Sequence, residues 1–239
     1  MTDIAAANIT AMKTDIKVCM FDQYGTVVDM QKGLTEVVTP YLQGKGWTGR
    51  PDAFVTWWRR THFENSMIDA LLHTSHTSYR EIGERAVDYT LERAGIAHTQ
   101  AEVEALVEAI VRLQPFPDVP QALDRLRSRY KLVVLSNGDP DMLEAAKAWH
   151  KVPFDEVISV AEAQSFKPHA ATYAKAAERL GVRMDQVLFV ANHAFDCIGA
   201  KAAGMRTAFI DRRSRPFGAT PHQPDIRVPD MACLADLMV

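Results

Sequence analysis

The 239-residue sequence has few cysteines and little excess charge of either sign. Its three cysteines, Cys19, Cys197 and Cys233, lie far apart and form no C-x-x-C pair. This spacing argues against a disulfide framework and against a zinc knuckle, and it favours a reducing compartment. The net charge is -3, whereas proteins that bind nucleic acid or anionic membranes typically have an excess of basic residues.

Long hydrophobic runs are absent as well. The longest ones, such as LVVL and VLFVA, have the length of a strand and are too short to span a bilayer. Residues 1–18 lack the basic start and apolar segment of a signal peptide. With 47% hydrophobic and 24% charged residues, the composition is that of an ordinary globular protein. We therefore expect a cytoplasmic protein that binds neither a membrane nor nucleic acid.

Four short apolar runs, each followed by a turn and a helical pattern, are the main recurring feature. They lie at residues 16–26, 131–140, 185–196 and 206–213. Runs of this length rich in Val, Ile and Leu are typical of strands buried on both faces. Their alternation with helices predicts an α/β fold with a Rossmann-like parallel sheet.

Polar side chains follow three of the predicted strands directly. These side chains are Asp22, Ser136, Asn137, Asn192 and His193. Because functional residues of parallel sheets gather where the strands end, we expect them to meet at one edge. Asp139 before Pro140 has the pattern of an N-cap followed by the first helical residue, so we expect Asp139 to cap its own helix.

The stretch from 31 to 114 interrupts the alternation and contains only helical patterns. Apolar residues recur there at helical spacing, as at Tyr79, Ile82, Ala86 and Tyr89. An insert at this point would lie over the carboxyl edge of the sheet like a lid, with PFPDVP at 115–120 as the returning hinge. We predict a core of residues 1–30 and 115–239 and a helical cap of residues 31–114.

Four motifs carry the chemistry. FDQYGT at 21–26 places Asp22 after a strand, SNG follows at 136–138, Lys167 precedes Pro168, and Asp196 follows a further strand. Each motif alone is weak, since an aspartate before a turn can simply stabilise that turn. The order of the four motifs is the stronger signal.

In that order the motifs resemble the haloacid dehalogenase superfamily over nearly the whole chain. Within it they look like the L-2-haloacid dehalogenases, whose first motif D-x-Y-G-T matches residues 22–26. Phosphatase members carry a second Asp where Tyr24 stands, because they must protonate a leaving alcohol. A departing halide needs no such proton. The resemblance implies a HAD-like core with an inserted helical cap, and a homodimer.

The fourth motif predicts that the protein uses no metal and no cofactor. Mg²⁺ prefers several oxygen ligands, whereas residues 190–196 offer the single carboxylate Asp196. The motif also departs from the family, which usually places a Ser and an Asn two residues apart where Ala191 and His193 stand here. This difference leaves the details of ester hydrolysis and the exact substrate open.

By resemblance, Asp22 is the nucleophile, Lys167 keeps it ionised, and either Asp196 or His193 activates water. Tyr173 fits the family spacing Lys-Pro-x-x-x-x-Tyr, but it fits the apolar face of a helix nearly as well. The predicted catalytic residues are Asp22, Thr26, Ser136, Lys167, Tyr173, His193 and Asp196.

The segment WWRRTHFE at 57–64 resembles the part of the cap that supplies a halide-binding arginine. The spacing to Glu64 favours Arg59 over Arg60, although two arginines on a helix can also form a solvated face. Trp57, Trp58 and Tyr79 could line an apolar pocket or pack the cap. The predicted substrate-binding residues are Tyr24, Arg59, Arg60, Phe63, Asn137, Asn192 and Phe195.

These features predict a hydrolase that converts short (S)-2-haloacids to (R)-2-hydroxyacids and halide through an aspartyl ester at Asp22. A related reading keeps the same nucleophile and opens a strained, carboxylate-bearing ring, with the ring nitrogen as leaving group. A phosphatase is disfavoured by Tyr24. A non-catalytic protein that binds a small acid is disfavoured by the complete set of motifs.

Overall fold

The computed structural model describes residues 3–72 and 75–239. Its centre is a six-stranded sheet in the order β3-β2-β1-β4-β5-β6, with every neighbouring pair parallel. The strands are β1 Val18–Phe21, β2 Lys131–Ser136, β3 Glu156–Ser159, β4 Val187–Ala191, β5 Arg206–Ile210 and β6 Ile226–Val228. All residues of β1 and β4 are buried, as expected for central strands covered on both faces. The predicted parallel α/β fold is confirmed.

Two strands were not predicted, and both lie at the edges of the sheet. β3 has the sequence EVIS, with its first two residues only half buried, and β6 has three residues. Short edge strands bury one face at most, so they leave no continuous apolar run in the sequence. The four predicted runs correspond to β1, β2, β4 and β5.

Ten helices surround and overlie the sheet in the described chain. They are α1 Asp3–Asp15, α2 Met30–Gly44, α3 Pro51–Leu72, α4 Tyr79–Arg93, α5 Gln100–Glu108, α6 Val119–Leu126, α7 Pro140–His150, α8 Ala170–Leu180, α9 Ala194–Ala202 and α10 Met231–Met238. Short 3₁₀ helices follow at Ala109–Arg112, Val160–Ala163 and Met184–Gln186. None of the helices in the described residues is long and apolar enough to cross a membrane.

All regular elements described between β1 and α6 are helices. The chain enters and leaves this insert through adjacent segments, because Asp29 N–H donates to the Gln114 carbonyl and Phe116 N–H donates to the Val27 carbonyl, both at 2.9 Å. These two hydrogen-bonded connecting segments lie directly after the loop that contains Asp22. The insert is thereby held close to the carboxyl end of β1, while its exact boundaries as a separate cap domain stay a prediction.

Asp139 is the N-cap residue of α7, as predicted, but its side chain does not cap that helix. α7 begins at Pro140, also as predicted. The Asp139 carboxylate accepts hydrogen bonds from the backbone N–H groups of Tyr79 and Arg80, each at 2.9 Å. The first N–H groups of a helix lack internal partners, so a carboxylate from another element can satisfy them. Asp139 therefore ties the start of α4 to the loop after β2.

Candidate active site

The carboxyl ends of the three central strands bring the predicted motifs together. Asp22 follows β1, Asn137 follows β2, and His193 follows β4 by two residues. The parallel register aligns Phe21 with both Val134 and Val190, so these strands end side by side. Asp22 N–H continues the ladder to the Val190 carbonyl at 3.0 Å. The side chains therefore converge because of the sheet topology, as the sequence predicted.

The loop after β1 is held in place by Thr26 and Asn192. Thr26 Oγ1 donates to Asp22 Oδ2 at 2.7 Å and accepts from the Asn192 backbone N–H at 2.9 Å. The Asn192 side-chain amide donates to the Gly25 carbonyl at 3.0 Å. Gly25 has φ +91°, and a Cβ there would lie 2.9 Å from His193 Cε1, so only glycine fits this turn. These contacts fix where the Asp22 carboxylate points.

Lys167 forms the electrostatic centre of the site. Its side chain is buried, and Nζ donates to Asp22 Oδ1 at 2.9 Å, Asp196 Oδ2 at 2.7 Å and the Leu135 carbonyl at 2.9 Å. All three ammonium hydrogens are thus used. Burial lowers the pKa of Lys167, but Asp196 and Asp22 outweigh that effect and raise it above its usual value. The group is a fixed positive charge and has no lone pair to act as a base.

Asp22 is held ionised in this environment. Burial alone would raise its pKa, but the Lys167 ammonium, together with His193 and the hydrogen bond from Thr26, holds the pKa of Asp22 well below its usual range. Its side chain is still 9% exposed, and it lies at the base of a cavity. Asp22 is therefore a charged carboxylate with access to a bound molecule.

Asp196 differs from Asp22 in its burial and in the hydrogen-bond partners of its carboxylate oxygens. It is fully buried; Oδ2 accepts from Lys167 and Oδ1 accepts from the Tyr173 hydroxyl at 2.5 Å. Burial raises the pKa of Asp196 and outweighs the effect of Lys167. Tyr173 is itself fully buried and meets the Phe189 ring edge-on at 5.4 Å. Tyr173 thus combines the two sequence interpretations, since it packs in the core and contacts a predicted catalytic residue.

His193 faces the nucleophile from the open side of the site. Its Nδ1 lies 3.4 Å from Asp22 Oδ2, and 23% of its side chain is exposed. Its ring lies 5.5 Å from that of Phe195, which in turn lies 4.1 Å from that of Phe63. An imidazole next to Asp22 is therefore accessible from the cavity, whereas the Asp196 carboxylate is not.

A cavity of about 630 Å³ opens above Asp22 between the core and the helical insert. Nine of the fourteen predicted site residues line it: Asp22, Tyr24, Arg59, Arg60, Phe63, Asn137, Lys167, His193 and Phe195. The other five are buried and do not line it: Thr26, Ser136, Tyr173, Asn192 and Asp196. The first group can contact a bound ligand, whereas the second group can only position the first. The role of each residue stays a prediction.

Contacts within the second motif show how Lys167 is positioned. Asn137 Oδ1 accepts from the Lys167 backbone N–H at 3.0 Å, and Ser136 Oγ accepts from the Gly138 N–H at 3.2 Å. The hydroxyl proton of Ser136 is not needed for that bond and stays available as a donor. The predicted roles of Ser136 in catalysis and of Asn137 in substrate binding are compatible with these bonds but are not tested by them.

Arg59 and Arg60 occupy different environments. Arg59 is half-buried and donates through Nη1 to Gln31 Oε1 at 3.0 Å. Burial, followed by repulsion from Arg213, lowers the pKa of Arg59 to about 10. Arg60 is exposed and is paired with Glu64 at 2.7 Å. The geometry therefore favours Arg59 as the anion-binding residue.

The aromatic lining is only partly as expected. Phe63, Tyr79 and Phe195 line the cavity, but neither tryptophan does. Trp58 is fully buried, and Trp57 is 42% exposed with the Arg93 guanidinium 4.1 Å from its ring. The sequence places both tryptophans on a cap helix, but it does not show which face of that helix packs against the protein and which face lines the site.

The Tyr24 hydroxyl is a further donor in the cavity. Its ring stacks on Tyr79 with centroids 5.6 Å apart. In the described part of the chain, the buried hydroxyl has no hydrogen-bond partner. Burial raises the pKa of Tyr24 well above its usual value, so it keeps its proton. An unpaired buried hydroxyl is costly unless a ligand accepts from it.

Eight residues that the sequence reasoning missed also line the cavity: Met30, Gln31, Asp52, Thr56, His62, Ser66, Arg213 and Arg215. Gln31 and His62 lie on cap helices, where only helix packing decides which side chains face the core. Arg213 lies three residues beyond the end of β5. The rule that residues at the carboxyl ends of parallel strands face the site could have identified Arg213.

The residues around Asp22 do not fit a Mg²⁺ ion. The Lys167 ammonium occupies the position between Asp22 and Asp196 where a bridging cation would need to be. Tyr24 replaces a potential second carboxylate. Within residues 3–72 and 75–239, no three His, Cys, Asp or Glu side chains are grouped as metal ligands. A hard divalent cation needs several oxygen ligands, and a fixed ammonium would repel it.

Known proteins resemble this chain in both sequence and fold. The chain is 36% identical to an (S)-2-haloacid dehalogenase of Xanthobacter autotrophicus, over 84% of this chain and 77% of that protein. It is 30% identical to haloacetate dehalogenase H-2 of Moraxella sp. (strain B), over 93% of this chain and 98% of that protein. The structure of L-2-haloacid dehalogenase from Xanthobacter autotrophicus with chloropropionic acid covalently bound superposes with a TM-score of 0.83 and 32% identity, covering 93% of this chain and 98% of that one.

Residues 16–204, which extend from β1 to the end of the helix carrying Asp196, match the haloacid dehalogenase-like hydrolase family as a whole. The match includes all four motifs that surround the cavity. This chain belongs to the haloacid dehalogenase-like hydrolases.

Proposed function

We propose that this protein is a hydrolytic dehalogenase that converts short (S)-2-haloacids to (R)-2-hydroxyacids and halide. The observation that carries the proposal is the ionised Asp22, held by Lys167 and Thr26 at the base of a cavity whose wall contains Arg59. The relatives named as dehalogenases of haloacids and haloacetate support the same reaction.

In the first step, the Asp22 carboxylate attacks C2 of the haloacid from the side opposite the halogen. A C–O ester bond forms while the carbon–halogen bond breaks, and the halide leaves with the bonding electron pair. The displacement inverts C2, which accounts for the change from S to R. Arg59 supplies a positive charge for the departing halide, because a desolvated anion needs a charge partner.

In the second step, water attacks Cγ of the Asp22 ester. We propose His193 as the base, because Asp196 is fully buried with both oxygens engaged, whereas His193 is open to the cavity. His193 takes one proton from the water and passes it to the leaving alkoxide as the bond between Cγ and the ester oxygen breaks, so the hydroxyacid departs. The carboxyl group formed at Asp22 releases the second proton to solvent. Lys167 and Thr26 stabilise the negative charge that develops on the Asp22 oxygens. Asp22 returns as a carboxylate.

Halide release without a divalent metal is the direct test of the proposed reaction. We expect (S)-2-chloropropionate and chloroacetate to release chloride at rates that exhaustive chelation leaves unchanged, because Lys167 supplies the charge next to Asp22. A generic phosphate monoester with and without Mg²⁺ is the matched comparison. Phosphate release that depends on Mg²⁺, without chloride release from the haloacids, would replace the dehalogenase proposal with the phosphatase alternative.

His193→Asn is expected to slow ester hydrolysis by about 10²-fold, the usual contribution of a general base, while ester formation continues. The Asp22 ester should then accumulate and be detected by mass spectrometry as an adduct on the peptide that contains Asp22. The pH–rate profile from pH 6 to 10 should change as well. His222→Asn is the control, since His222 does not line the cavity. An unchanged profile and no adduct would leave His193 a structural residue.

The same variant tests an additional effect on fluoride. Fluoride gains the most from hydrogen bonding as it leaves, and a histidine can donate a charged hydrogen bond that an amide cannot. We therefore expect the ratio of fluoroacetate to chloroacetate rates to fall in His193→Asn. An unchanged ratio would limit His193 to the hydrolytic step.

We further infer that two copies of this chain form a homodimer in the cytoplasm. Ile68, Leu71 and Leu72 at the end of α3 are 52%, 73% and 64% exposed, and a second copy could cover this apolar surface. Leu71→Glu should then shift the mass measured by light scattering from dimer to monomer. A wild-type protein of monomeric mass would contradict the inference.

A further inference from the structure

The cavity contains more positive charge than its own carboxylates neutralise. Among its basic residues, Arg60 is paired with Glu64, and Lys167 is paired with Asp22 and Asp196. Arg59, Arg213 and Arg215 also line the cavity, and in residues 3–72 and 75–239 none of the three has a carboxylate within ion-pair distance. Asp52, the other carboxylate that lines the cavity, is paired with Arg50. Arg59 has at least the neutral partner Gln31. Arg213 has no hydrogen-bonding partner in the same residues.

The segment that carries Arg213 is anchored on both sides. The preceding residue, Arg212, donates to the Thr26 carbonyl at 3.1 Å and pairs with Asp118 at 3.0 Å. On the other side, Arg215 N–H donates to Asp211 Oδ1 at 3.0 Å. Arg213 is therefore presented to the cavity from backbone that is tied to the nucleophile loop. Its side chain is exposed at the mouth, where a ligand must enter.

The proposed reaction does not use this second charge. It places one positive charge, Arg59, at the halide, and it gives Arg213 no role. Arg213 lies close enough to Arg59 to lower its pKa, so the two guanidiniums repel each other while the cavity lacks a matching anion. A cavity of about 630 Å³ also leaves most of its volume unfilled by a haloacetate. Space and charge are both available for a longer, more anionic molecule.

We propose that Arg213 is a specificity-determining residue that binds the distal carboxylate of (S)-2-halodicarboxylates. The inference rests on the proposed function, since it assigns a substrate class to the same cavity. C2 and the halogen would lie at Asp22 and Arg59, and the chain beyond C2 would extend toward the mouth. There the distal carboxylate would accept hydrogen bonds from the Arg213 guanidinium, whose fork geometry suits a carboxylate.

The kinetic test compares (S)-2-chlorosuccinate with (S)-2-chlorobutanoate, which has the same chain length without the second carboxylate. Arg213→Gln should raise KM for chlorosuccinate about tenfold, the loss expected for one charge-assisted bond at a partly exposed site. The kcat/KM for chlorobutanoate should change less than about twofold on the same reasoning. Arg213→Lys should restore part of the loss, and Arg127→Gln, an exposed arginine outside the cavity, should change neither substrate.

Equal losses for both substrates would overturn the proposal, because they would indicate general attraction of anions. The proposal would also fail if wild-type enzyme used chlorobutanoate but not chlorosuccinate. A binding measurement tests the Arg213 proposal without requiring turnover. In chloride-free buffer, calorimetry should show that wild type binds succinate more tightly than butyrate. Arg213→Gln should remove that preference. Selective succinate binding without halide release would support Arg213 and overturn only the dehalogenase. The absence of any preference for succinate would overturn the Arg213 proposal.

Discussion

Asp22→Asn is expected to reduce halide release by at least about 10⁴-fold, since the variant lacks the carboxylate that forms the ester. Asp196 cannot substitute for Asp22, because it is fully buried and bonded to both Lys167 and Tyr173. The neutral amide is nearly isosteric but is a poor nucleophile. Asp124→Asn, on the exposed face of α6, is the matched control and should retain full activity.

Isotope labelling separates this mechanism from direct attack by water. In a single turnover in ¹⁸O-water, the label should enter the Asp22 carboxylate before it appears in the hydroxyacid, because water attacks Cγ of the ester. Label that passes directly into the product would show that water attacks C2 and that Asp22 only assists. Substantial turnover by Asp22→Asn would contradict the covalent mechanism independently.

Lys167→Met is expected to lower kcat/KM by at least about 10³-fold, as for the loss of a preorganised charge at the reacting group. Burial is already the largest single effect on the pKa of Asp22, and without the ammonium only His193 and Thr26 oppose it, so we expect this pKa to rise. The remaining activity should therefore increase toward higher pH, where the carboxylate deprotonates. A loss of activity that is the same at every pH would argue against the proposed role of Lys167.

The same variant should also be less stable. In wild type, the depressed pKa of Asp22 contributes stability above the pKa of the unfolded chain, and this contribution disappears as the pH falls through the folded value. Lys167→Met leaves buried carboxylates without their partner, which costs about 3–5 kcal/mol in free energy of unfolding at neutral pH. Because the folded variant binds a proton more tightly than the unfolded chain, this deficit should shrink as the pH is lowered.

Urea unfolding at several pH values measures this dependence. Lys175→Met on α8 is the matched control, since the Lys175 side chain is 44% exposed and pairs with the exposed Glu178. Its expected change is below about 0.5 kcal/mol at every pH. A deficit in Lys167→Met that stays constant with pH would mean that lost packing, rather than unpaired charge, destabilises the variant.

The order of the motifs along the chain was sufficient to predict where the site would be. Asp22, Asn137 and His193 each follow a buried strand, and parallel strands bring their carboxyl ends to one edge whatever the connections between them. The helical insert was predictable for a similar reason, since apolar residues at helical spacing need no knowledge of distant partners. Local pattern and the geometry of parallel sheets account for both.

Contacts between distant segments could not be predicted in this way. Asp139 has the sequence pattern of a cap for its own helix, yet its carboxylate bonds to α4, about 60 residues earlier in the chain. Both helix starts offer unpaired N–H groups, and only the docking of the insert decides which of them lies within reach. The edge strands β3 and β6 were also not predicted, because their pairing depends on neighbouring strands rather than on an apolar run of their own.

The sequence by itself determined the parallel α/β class, the helical insert and nine of the residues that line the cavity near Asp22, because these follow from short-range periodicity, strand-end chemistry and the order of the motifs. Only the tertiary structure decided which of these residues face the cavity, which of the two arginines on α3 is half-buried and free of a carboxylate partner in the described residues, and that Arg213 joins them from beyond β5. It also decided that Asp196 is enclosed while His193 is open. The physical reason is that burial and pairing are properties of several segments packed together, and no single segment encodes the direction from which the others approach.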